Sequence, residues 1–522
     1  MRFDEATYDV LVAGYGPVGQ ILTSLLARDG HRIAVAERWP DLYPRPRAAH
    51  FDHEIHRTLD RLGVTAALGD DVVEMRSYDW RGADGELILE IKADTLAASG
   101  HVIGHLFYQP TLERTLHARL REAEQVDLFQ GWELVALEQE PDYVTATLER
   151  TRQLGEGRLE RTGEQRVVRA RYVVGADGAN SRVRTLAGIG EDDLGFAVHW
   201  LVADVGFDDP ATAERLFAKL GDSTQWCDPR RPHMSARVGK HHRRWEFMLL
   251  PGERPEDFAD ADAVWRMLAP WLEPGEARLE RHVVYQFSSR LAETMRERRI
   301  LLAGDAAHVM PPFIGQGLCS GIRDAANLSW KLDLVLKGTS PDTILDSITE
   351  ERYGQNRRTI EVSLRMGQVS CTLDPEAAAE RDRAFRSGQA PPPEPMPGLS
   401  GGIRHDDPLA GSLGVQGLIE HDGRQGLADS VLGNGFCLIT RAEPHLSTTD
   451  RETVAAFGIR TLALGHSTVD LDGRLTGWLV ESGVDAVLVR PDFYVFGSVR
   501  RIEDLSALLA DLRQQLVVSE DS

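Results

Sequence analysis

The sequence predicts an α/β protein, and three stretches carry that prediction: residues 8–37, 171–184 and 300–336. In each stretch a short apolar run ends in a glycine-containing turn, and a helix start follows. Strands that alternate with helices form parallel sheets, and the carboxyl ends of such strands meet at one edge of the sheet. We therefore expect the three turns to converge, although they lie far apart along the chain.

The first stretch has the complete pattern of a dinucleotide-binding turn. An apolar strand at 8–13 runs into Gly-x-Gly-x-x-Gly, a helix follows at 17–29, and a second strand at 31–36 ends in an acidic residue. The glycines permit a tight turn and a close approach to a pyrophosphate, and the acidic side chain accepts hydrogen bonds from ribose hydroxyls. The candidate binding residues are Gly14, Gly16, Pro17, Val18, Gly19, Glu37 and Arg38.

The stretch 300–336 predicts an anion site. A buried strand ends in glycine and aspartate, a proline-containing loop follows, and a second glycine turn precedes a long helix. A carboxylate at a strand end can hold a sugar or ribityl hydroxyl, and a helix start offers unpaired N–H groups and a positive dipole end. The alternative is a glycine-rich turn without a ligand. The candidates are Gly304, Asp305, Pro312, Gly315, Gln316, Gly317 and Leu318.

The stretch 171–184 repeats the arrangement with an apolar strand that runs into Gly-Ala-Asp-Gly. Asp177 stands at the strand end, where it can bind a ribityl or pyrophosphate group, and Gly178 allows the turn. Arg182 and Arg184 open a helix near the expected phosphates. A structural salt bridge is the alternative account of both arginines.

Two further candidates come from loops. Prolines flank Arg45 and Arg47, so these side chains are fixed in a way that suits a pyrophosphate contact, whereas a solvated basic loop is the alternative. Gln109 precedes a proline at the start of a helix expected at 111–123, and it joins the candidate binding residues.

Composition excludes several classes of partner. The chain has 522 residues, a formal net charge of −22 and a pI of about 5.3, which argues against nucleic acid and anionic membranes. Its four cysteines lie far apart and form no zinc spacing, so we expect no metal and a reducing cytoplasm. No apolar segment is long enough to cross a bilayer, and the N-terminus has no apolar signal-peptide core.

The remaining segments differ in character. Residues 186–290 predict a β-rich region, in which the basic and aromatic run 241–250 is interpreted as a solvated sheet edge, with an acidic-substrate site as the alternative. Residues 374–402 are polar and then proline-rich, as in a linker or extended arm. The order of elements over 434–516 predicts a small thioredoxin-like unit that lacks Cys-x-x-Cys, so packing or dimerisation is its expected role.

Together, the three turns resemble those of the single-component flavoprotein aromatic hydroxylases, the class of p-hydroxybenzoate hydroxylase and phenol hydroxylase. Five shorter matches are most similar to the 3-(3-hydroxyphenyl)propionate hydroxylases: residues 46–48, 227–229, 245–248, 251–253 and 489–492. The resemblance spans nearly the whole chain. It departs at 49–51 and 312–314, which would face the flavin or the ring being oxidised, so the substrate is less defined than the class.

The resemblance implies a Rossmann-like FAD-binding domain interleaved with a β-sheet substrate domain, followed by the thioredoxin-like domain. The FAD-binding domain would comprise residues 1–75, 101–185 and 286–375, and the substrate domain residues 76–100 and 186–285. Residues 376–402 would be a linker, and residues 403–522 the C-terminal domain.

The resemblance also implies a reaction. NADH or NADPH would reduce bound FAD, dioxygen would add to form a flavin hydroperoxide, and oxygen would pass to a phenol ortho or para to its hydroxyl. A hydroxyphenylpropionate-like or polyketide-type phenol would be the substrate. Asp177 and Asp305 would hold FAD, and Arg47, His50 and Pro312 are the candidate catalytic residues.

Several alternatives stay open. A related flavoenzyme, either a halogenase or a reductase, would bind the same cofactor, although the tryptophan-rich halogenase signature is absent. A non-catalytic flavin-binding sensor would use the last domain to bind a partner. A base that deprotonates the phenol is not identified, with His50, His199 and Tyr285 as candidates, and a homodimer is an open expectation.

Overall fold

The computed structural model describes residues 2–155, 157–391 and 394–517. Within these ranges the strands are β1 Arg2–Ala13, β2 Ile33–Glu37, β3 His50–Asp52, β4 Val72–Glu74, β5 Ser77–Arg81, β6 Leu87–Lys92, β7 Gly104–Phe107, β8 Val126–Gln130, β9 Trp132–Gln139, β10 Val144–Gly155, β11 Arg158–Gly175, β12 Glu191–Asp193, β13 Val198–Gly206, β14 Ser223–Trp226, β15 His233–Val238, β16 His242–Met248, β17 Arg278–Phe287, β18 Arg290–Ala292, β19 Arg296–Glu297, β20 Ile300–Leu302, β21 His308–Val309, β22 Leu418–His421, β23 Arg424–Leu427, β24 Cys437–Thr440, β25 Arg460–Ala463, β26 Thr468–Asp470, β27 Ala486–Val489 and β28 Val495–Val499.

The α-helices over the same ranges are α1 Pro17–Arg28, α2 His53–Arg61, α3 Thr65–Leu68, α4 Gln109–Glu122, α5 Arg182–Leu186, α6 Pro210–Leu220, α7 Ala261–Leu268, α8 Gly317–Leu336, α9 Ser347–Ser370, α10 Pro375–Arg386, α11 Ala428–Leu432, α12 Thr448–Ala456, α13 Arg474–Ser482 and α14 Leu505–Leu516. Every helix in the described part of the chain is too short or too polar to cross a lipid bilayer.

The expected parallel sheet is present. Strands β8, β2, β1, β11 and β20 lie side by side in that order, and each neighbouring pair is parallel. Ala13 pairs with Gly175, and Gly175 pairs with Leu302, so the ends of the three predicted strands lie next to one another. The sheet is buried because helices cover it, and its aliphatic residues form the largest core of the described chain.

A second sheet lies over the strand ends. Its seven strands follow the order β17-β13-β16-β15-β14-β5-β6, so the hairpin from 77–92 joins strands from 198–287. Two helices in this region, α6 and α7, were not predicted. The start of α6 has a recognisable signal, because Asp209 accepts hydrogen bonds from the amides of Ala211 and Thr212 and Pro210 occupies the first helical position.

The interpretation of residues 241–250 as a solvated sheet edge is wrong. Strand β16 lies inside the seven-stranded sheet, between β13 and β15. Arg243 and Arg244 are both buried there, each on a different face of the sheet. Buried hydrogen bonds explain the basic residues: Arg243 donates to Ser235 Oγ, and Arg244 donates to the Asp204 carboxylate.

The C-terminal unit has the predicted thioredoxin-like order. Strands β25, β24, β27 and β28 form its sheet, in which β24 and β25 are parallel and the other pairs are antiparallel. The segment expected as a linker differs from that expectation, since α10 occupies its first part and contacts β6. Asp374 caps α10 and Pro375 starts it, which are local signals of a helix rather than of an extended arm.

Candidate active site

A cavity of about 1130 Å³ lies between the strand ends of the parallel sheet and one face of the seven-stranded sheet. Residues 394–399 and 410–413 and the side chain of Tyr494 close it from the C-terminal side. Pockets for one drug-sized ligand span about 300–1,000 Å³, so this cavity is slightly larger than that range. The sequence candidates in its wall are Gly16, Pro17, Val18, Arg47, His50, Gln109, Gly178, Asp305, Pro312, Gly315, Gln316, Gly317 and Leu318.

The remaining candidates do not line the cavity: Gly14, Gly19, Glu37, Arg38, Asp177 and Gly304. Gly14 has a φ of +103°, and a Cβ atom there would collide with the carbonyl of Ala176 and lie 2.8 Å from the Cα of Asp177. A Cβ on Gly19 would overlap the carbonyl oxygen of Gly14. The turn that begins at Gly14 and the turn at Asp177 therefore pack directly against each other, at a spacing that side chains would prevent.

The start of α1 is available to an anion. Pro17 is its first residue, and no side chain among the described residues caps it. The Arg47 guanidinium lies 3.4 Å from the position that a Cβ on Gly16 would take, so a positive side chain faces the helix start. The helix dipole and the guanidinium favour negative charge at the same place, as a pyrophosphate requires.

Gln109 and Glu113 hold the Arg47 segment from behind. Gln109 Oε1 accepts hydrogen bonds from the amides of Arg47 and Ala48, at 3.1 and 2.6 Å. The Gln109 side-chain amide donates to Glu113, whose carboxylate lies 3.6 Å from the Arg47 guanidinium. The Arg47 backbone is thus held at the cavity wall while its side chain is 49% exposed, and direct contacts of Arg47 and Gln109 with a ligand stay predictions.

Glu37 and Asp177 both use their carboxylates within the protein. Glu37 accepts hydrogen bonds from the amides of Tyr15 and Trp39, at 2.7 and 2.9 Å. Asp177 accepts from the amides of Arg182 and Val183, at 2.7 and 3.1 Å, and so holds the start of α5. Both side chains build the turns that line the cavity, and their direct contacts with a ligand stay predictions.

The arginines that follow Asp177 have structural partners. Arg184 is buried, and it pairs with Glu191 at 2.9 Å and donates to the carbonyl oxygen of Ala306 at 2.9 Å. Arg182 donates at 3.4 Å to the carbonyl oxygen of Val135. The salt-bridge alternative therefore describes Arg184 better than a phosphate contact does.

The third turn presents Asp305 and the start of α8 to the cavity. Asp305 lines the cavity, and its side chain is exposed there. Burial raises its pKa, and the positive charges of His308, Arg47 and Arg290 oppose that effect. Gln316 precedes α8, and no described side chain caps this helix start, which has no acidic residue in its first turn. Its amides are therefore available to a ligand with negative charge.

His50 packs against this turn. Its Nδ1 atom lies 3.4 Å from the carbonyl oxygen of Gly315, a residue with a φ of +65° and no room for a Cβ beside the imidazole ring. Burial lowers the pKa of His50, so the ring is neutral at physiological pH. Of the other base candidates, His199 and Tyr285 lie outside the cavity wall, and Tyr285 packs its ring beside Arg281.

Sequence reasoning missed a buried ion cluster in the cavity wall. Arg323 of α8 donates to Glu54 Oε2 at 2.7 Å and to Asp52, and its remaining nitrogen donates to Gln316 at 2.9 Å. Burial raises the pKa of Asp52, but Arg323 outweighs that effect and holds it well below its usual range. A spacing of seven residues, which places Gln316 and Arg323 on one helix face, was the available signal.

The expectation of no metal stays a prediction. His56, Asp60 and His101 each place one potential ligand atom within 4.8 Å of the others, outside the cavity described above. The rings of His56 and His101 stack at 4.0 Å, and His56 Nδ1 lies 2.8 Å from His105 Nε2. Asp60 lies 3.7 Å from His56 and 3.3 Å from His101, so the three side chains pack together without any ion.

Comparison with known proteins agrees with this geometry. A family described as "FAD binding domain" matches residues 7–363, and one described as "HcaD C-terminal domain" matches residues 411–515. The chain is 35% identical to a probable NADH-specific resorcinol 4-hydroxylase of Rhodococcus jostii (strain RHA1), over 97% of this chain and 94% of that protein. It is 32% identical to a 3-(3-hydroxy-phenyl)propionate/3-hydroxycinnamic acid hydroxylase of Mycobacterium sp. (strain JLS), over 97% and 92%.

The fold has counterparts among solved structures. Aklavinone-11 hydroxylase, solved with FAD and aklavinone, superposes with a TM-score of 0.76 at 23% identity, over 98% of this chain and 99% of that one. The fold and the family define a flavoprotein in which glycine turns and a β-sheet enclose one cavity. The chain belongs to the FAD-binding family of flavin-dependent aromatic hydroxylases, and FAD is its cofactor.

Proposed function

We propose that this enzyme adds a hydroxyl group to a phenolic ring, with NADH as the electron donor and dioxygen as the source of oxygen. Relatives named for the hydroxylation of resorcinol and of hydroxyphenylpropionate support this reaction, and the name of the first supports NADH rather than NADPH. The observation that carries the proposal is the cavity. The glycine turns and the uncapped starts of α1 and α8 lie on one side of it, and an aromatic chamber lined by Trp80, Met234 and Phe313 lies on the other. A homodimer and a cytoplasmic location stay predictions.

Bound FAD supplies the redox chemistry, because it can accept hydride from NADH and deliver one oxygen atom of dioxygen to the ring. The protein's own residues do the rest. Arg47 and the amides at the start of α1 would hold the pyrophosphate, and Asp305 would accept a hydrogen bond from a cofactor hydroxyl. The amides of Gly317 and Leu318 would stabilise negative charge on the flavin ring, which favours its reduced form.

The chamber side excludes water from the reacting ring. Trp80, Met234 and Phe313 line it, and Trp200 packs edge-on against Phe313 with ring centroids 5.8 Å apart. Apolar walls of this kind strengthen the few polar contacts within them and protect reactive species from hydrolysis. Pro312 and His50 hold the loop and the helix start between this chamber and the cofactor cradle.

The test is substrate-stimulated NADH oxidation by the FAD-loaded protein with a panel of phenols, coupled to product mass under ¹⁸O₂. We expect one or more phenols to accelerate NADH oxidation and to gain one labelled oxygen atom. A product without added oxygen would favour a reductase or halogenase. Slow NADH oxidation that no phenol accelerates would favour a flavin-binding sensor.

A further inference from the structure

One face of the seven-stranded sheet forms the roof of the chamber. Because side chains alternate along a strand, Arg244 and Glu246 of β16 point to this face, and Met234 of β15 pairs with Glu246 and lies beside it. Tyr78 of β5 shares the face, and its hydroxyl donates a long hydrogen bond of 3.5 Å to the carbonyl oxygen of Phe313. Polar side chains on this face of the sheet therefore contact an aromatic ring that binds in the chamber.

The arginines of the chamber are already neutralised. Apart from Arg47, every arginine in the described part of the cavity wall is paired with a buried carboxylate of the protein. The N–O distance is 2.7 Å in each of three pairs: Arg244 Nε to Asp204 Oδ1, Arg323 Nε to Glu54 Oε2, and Arg352 Nε to Asp324 Oδ1. The other arginine of the wall, Arg47, faces the start of α1. Each guanidinium of the chamber thus already has a protein carboxylate as its counter-charge, although Arg352 Nη1 makes no hydrogen bond.

Glu246 is the opposite case, a carboxylate with little internal compensation. It is 8% exposed, and no donor in the described part of the chain makes a hydrogen bond to it. Its nearest cation is Arg244, whose Nη1 lies 3.7 Å away. Arg244 already donates to Asp204 and to the backbone carbonyls of Pro46 and Arg47. Glu246 lines the cavity, so its carboxylate is open to a donor from a ligand bound there.

We propose that the substrate is an uncharged phenol whose hydroxyl donates a hydrogen bond to Glu246, and that phenols bearing a carboxylate are excluded. This inference rests on the proposed hydroxylation, and it names the substrate class and the residue that positions the ring. The negative charge of Glu246, whose ion pair with Arg244 spans 3.7 Å without a hydrogen bond, repels a second carboxylate, whereas a neutral hydroxyl supplies the donor that Glu246 lacks.

The contact also prepares the ring for oxidation. Moving the O–H proton toward Glu246 raises the electron density at the ring carbons ortho and para to the hydroxyl, where an electrophilic oxygen adds. When that carbon loses its own hydrogen as a proton, the phenolic oxygen regains a proton from Glu246 and the ring is aromatic again. Burial raises the pKa of Glu246, with Arg244 opposing and Asp204 adding to it, so this carboxylate holds a proton better than an exposed glutamate does.

The first test measures binding by titration calorimetry at pH 8, using FAD-loaded protein and a pair of ligands that share one phenol ring and differ in the charge of the side chain. The ligands are 3-(3-hydroxyphenyl)propanamide and 3-(3-hydroxyphenyl)propionate. We expect the amide to bind at least about tenfold more tightly, because like charges are costly in a dry site. Equal binding, or tighter binding of the propionate, would overturn the inference.

The second test uses Glu246→Gln, which keeps the shape of the side chain and removes its charge. We expect the amide to lose affinity and the propionate to gain it, and kcat/KM for uncharged phenols to fall about a hundredfold. The matched control is Glu214→Gln, on the exposed face of α6, which should change neither affinity nor kcat/KM. A fall in affinity for both ligands in Glu246→Gln would indicate a merely structural role and would overturn the assignment.

A spectroscopic measurement separates contact from structure. The absorbance of bound 4-nitrophenol shows whether its hydroxyl is ionised. Because the negative charge of Glu246 disfavours a second anion, the hydroxyl of bound 4-nitrophenol should ionise at a higher pH in the wild type than in Glu246→Gln. The other titratable groups near this carboxylate are the same in both proteins: Arg244, Asp204, Arg281 and Tyr78. The same ionisation midpoint in both proteins would overturn the contact.

The outcomes also separate this inference from the proposed function. If no phenol is hydroxylated but the amide preference and its reversal in Glu246→Gln are observed, the reaction is wrong and the ligand class is right. If phenols are hydroxylated but the propionate is preferred, the reaction stands and the inference fails.

Discussion

His308 Nε2 and Asp324 Oδ2 lie 2.6 Å apart, and both side chains are fully buried. Asp324 also accepts a hydrogen bond from the amide of Gly304 at 2.9 Å and from Arg352 at 2.7 Å. One carboxylate on α8 therefore ties the turn after β20 to α9. That turn carries Asp305, so the ion cluster positions a residue that lines the cavity.

Removing this carboxylate should destabilise the fold strongly. Asp324→Asn leaves His308 and Arg352 buried without their anion, and breaking a buried ion pair from one side costs about 3–5 kcal/mol. Urea unfolding followed by circular dichroism would measure the loss. The control is Asp208→Asn, whose partner Arg278 is an exposed surface cation, and it should change stability by under about 1 kcal/mol. Similar losses in both variants would contradict the account.

The same group should make stability depend on pH. Burial raises the pKa of Asp324, but His308 and Arg352 outweigh burial and lower it to about 2. A folded-state pKa below the unfolded value of about 3.9 means that the stabilisation is present above pH 4 and is lost as the pH falls toward 2. Wild type should therefore lose more stability over that window than Asp324→Asn. Parallel pH profiles for the two proteins would refute this.

Adding one methyl group to the fingerprint turn should abolish flavin binding. A Cβ on Gly19 overlaps the carbonyl oxygen of Gly14, and the turn must open to admit it. We expect Gly19→Ala to purify with little FAD, as judged by the absorbance at 450 nm. Gly477→Ala is the matched control, because Gly477 is also helical and a Cβ there meets open space. Full flavin content in Gly19→Ala would contradict the role assigned to this turn.

Asp305 and Asp177 should behave differently on substitution. Asp305 faces the cavity, so Asp305→Ala should weaken FAD binding about tenfold or more while thermal stability changes little. Asp177 holds the start of α5, so Asp177→Ala should lower Tm. Equilibrium titration of apoprotein with FAD and thermal unfolding would separate the two effects. Loss of flavin affinity in Asp177→Ala at unchanged Tm would instead support the direct contact predicted from the sequence.

The thiols should be unreactive in the folded protein. Burial raises the pKa of Cys227, Cys371 and Cys437 to about 12, and it also raises the pKa of Cys319. Thiolates are the reactive form, so a disulfide reagent at pH 8 should modify these cysteines slowly before unfolding and quickly after it. Rapid labelling of the native protein would show that one of these sites is more open than the structure indicates.

Features that depend on neighbouring residues could be predicted from the sequence, whereas features that depend on residues distant along the chain could not. Gly14, Gly19 and the strand before them could be placed from sequence, because a tight turn needs glycine wherever it occurs. The position of β16 could not, since its basic residues look like an exposed edge until Asp204 and Ser235 are known to face them. The roles of Glu37 and Asp177 were likewise ambiguous, because a carboxylate at a strand end can accept hydrogen bonds either from a ligand or from backbone amides of the following turn.

The sequence by itself determined the α/β class, the three strand-end turns and the cofactor family, since each depends on a pattern of neighbouring residues and on backbone geometry that only certain side chains permit. Only the tertiary structure decided which charged side chains in the chamber form ion pairs with one another. Arg323 and Asp52 are 271 positions apart, and Glu246 stands without a donor because Arg244 is held by other acceptors. Pairing of this kind depends on distance in space, which no local pattern of residues records.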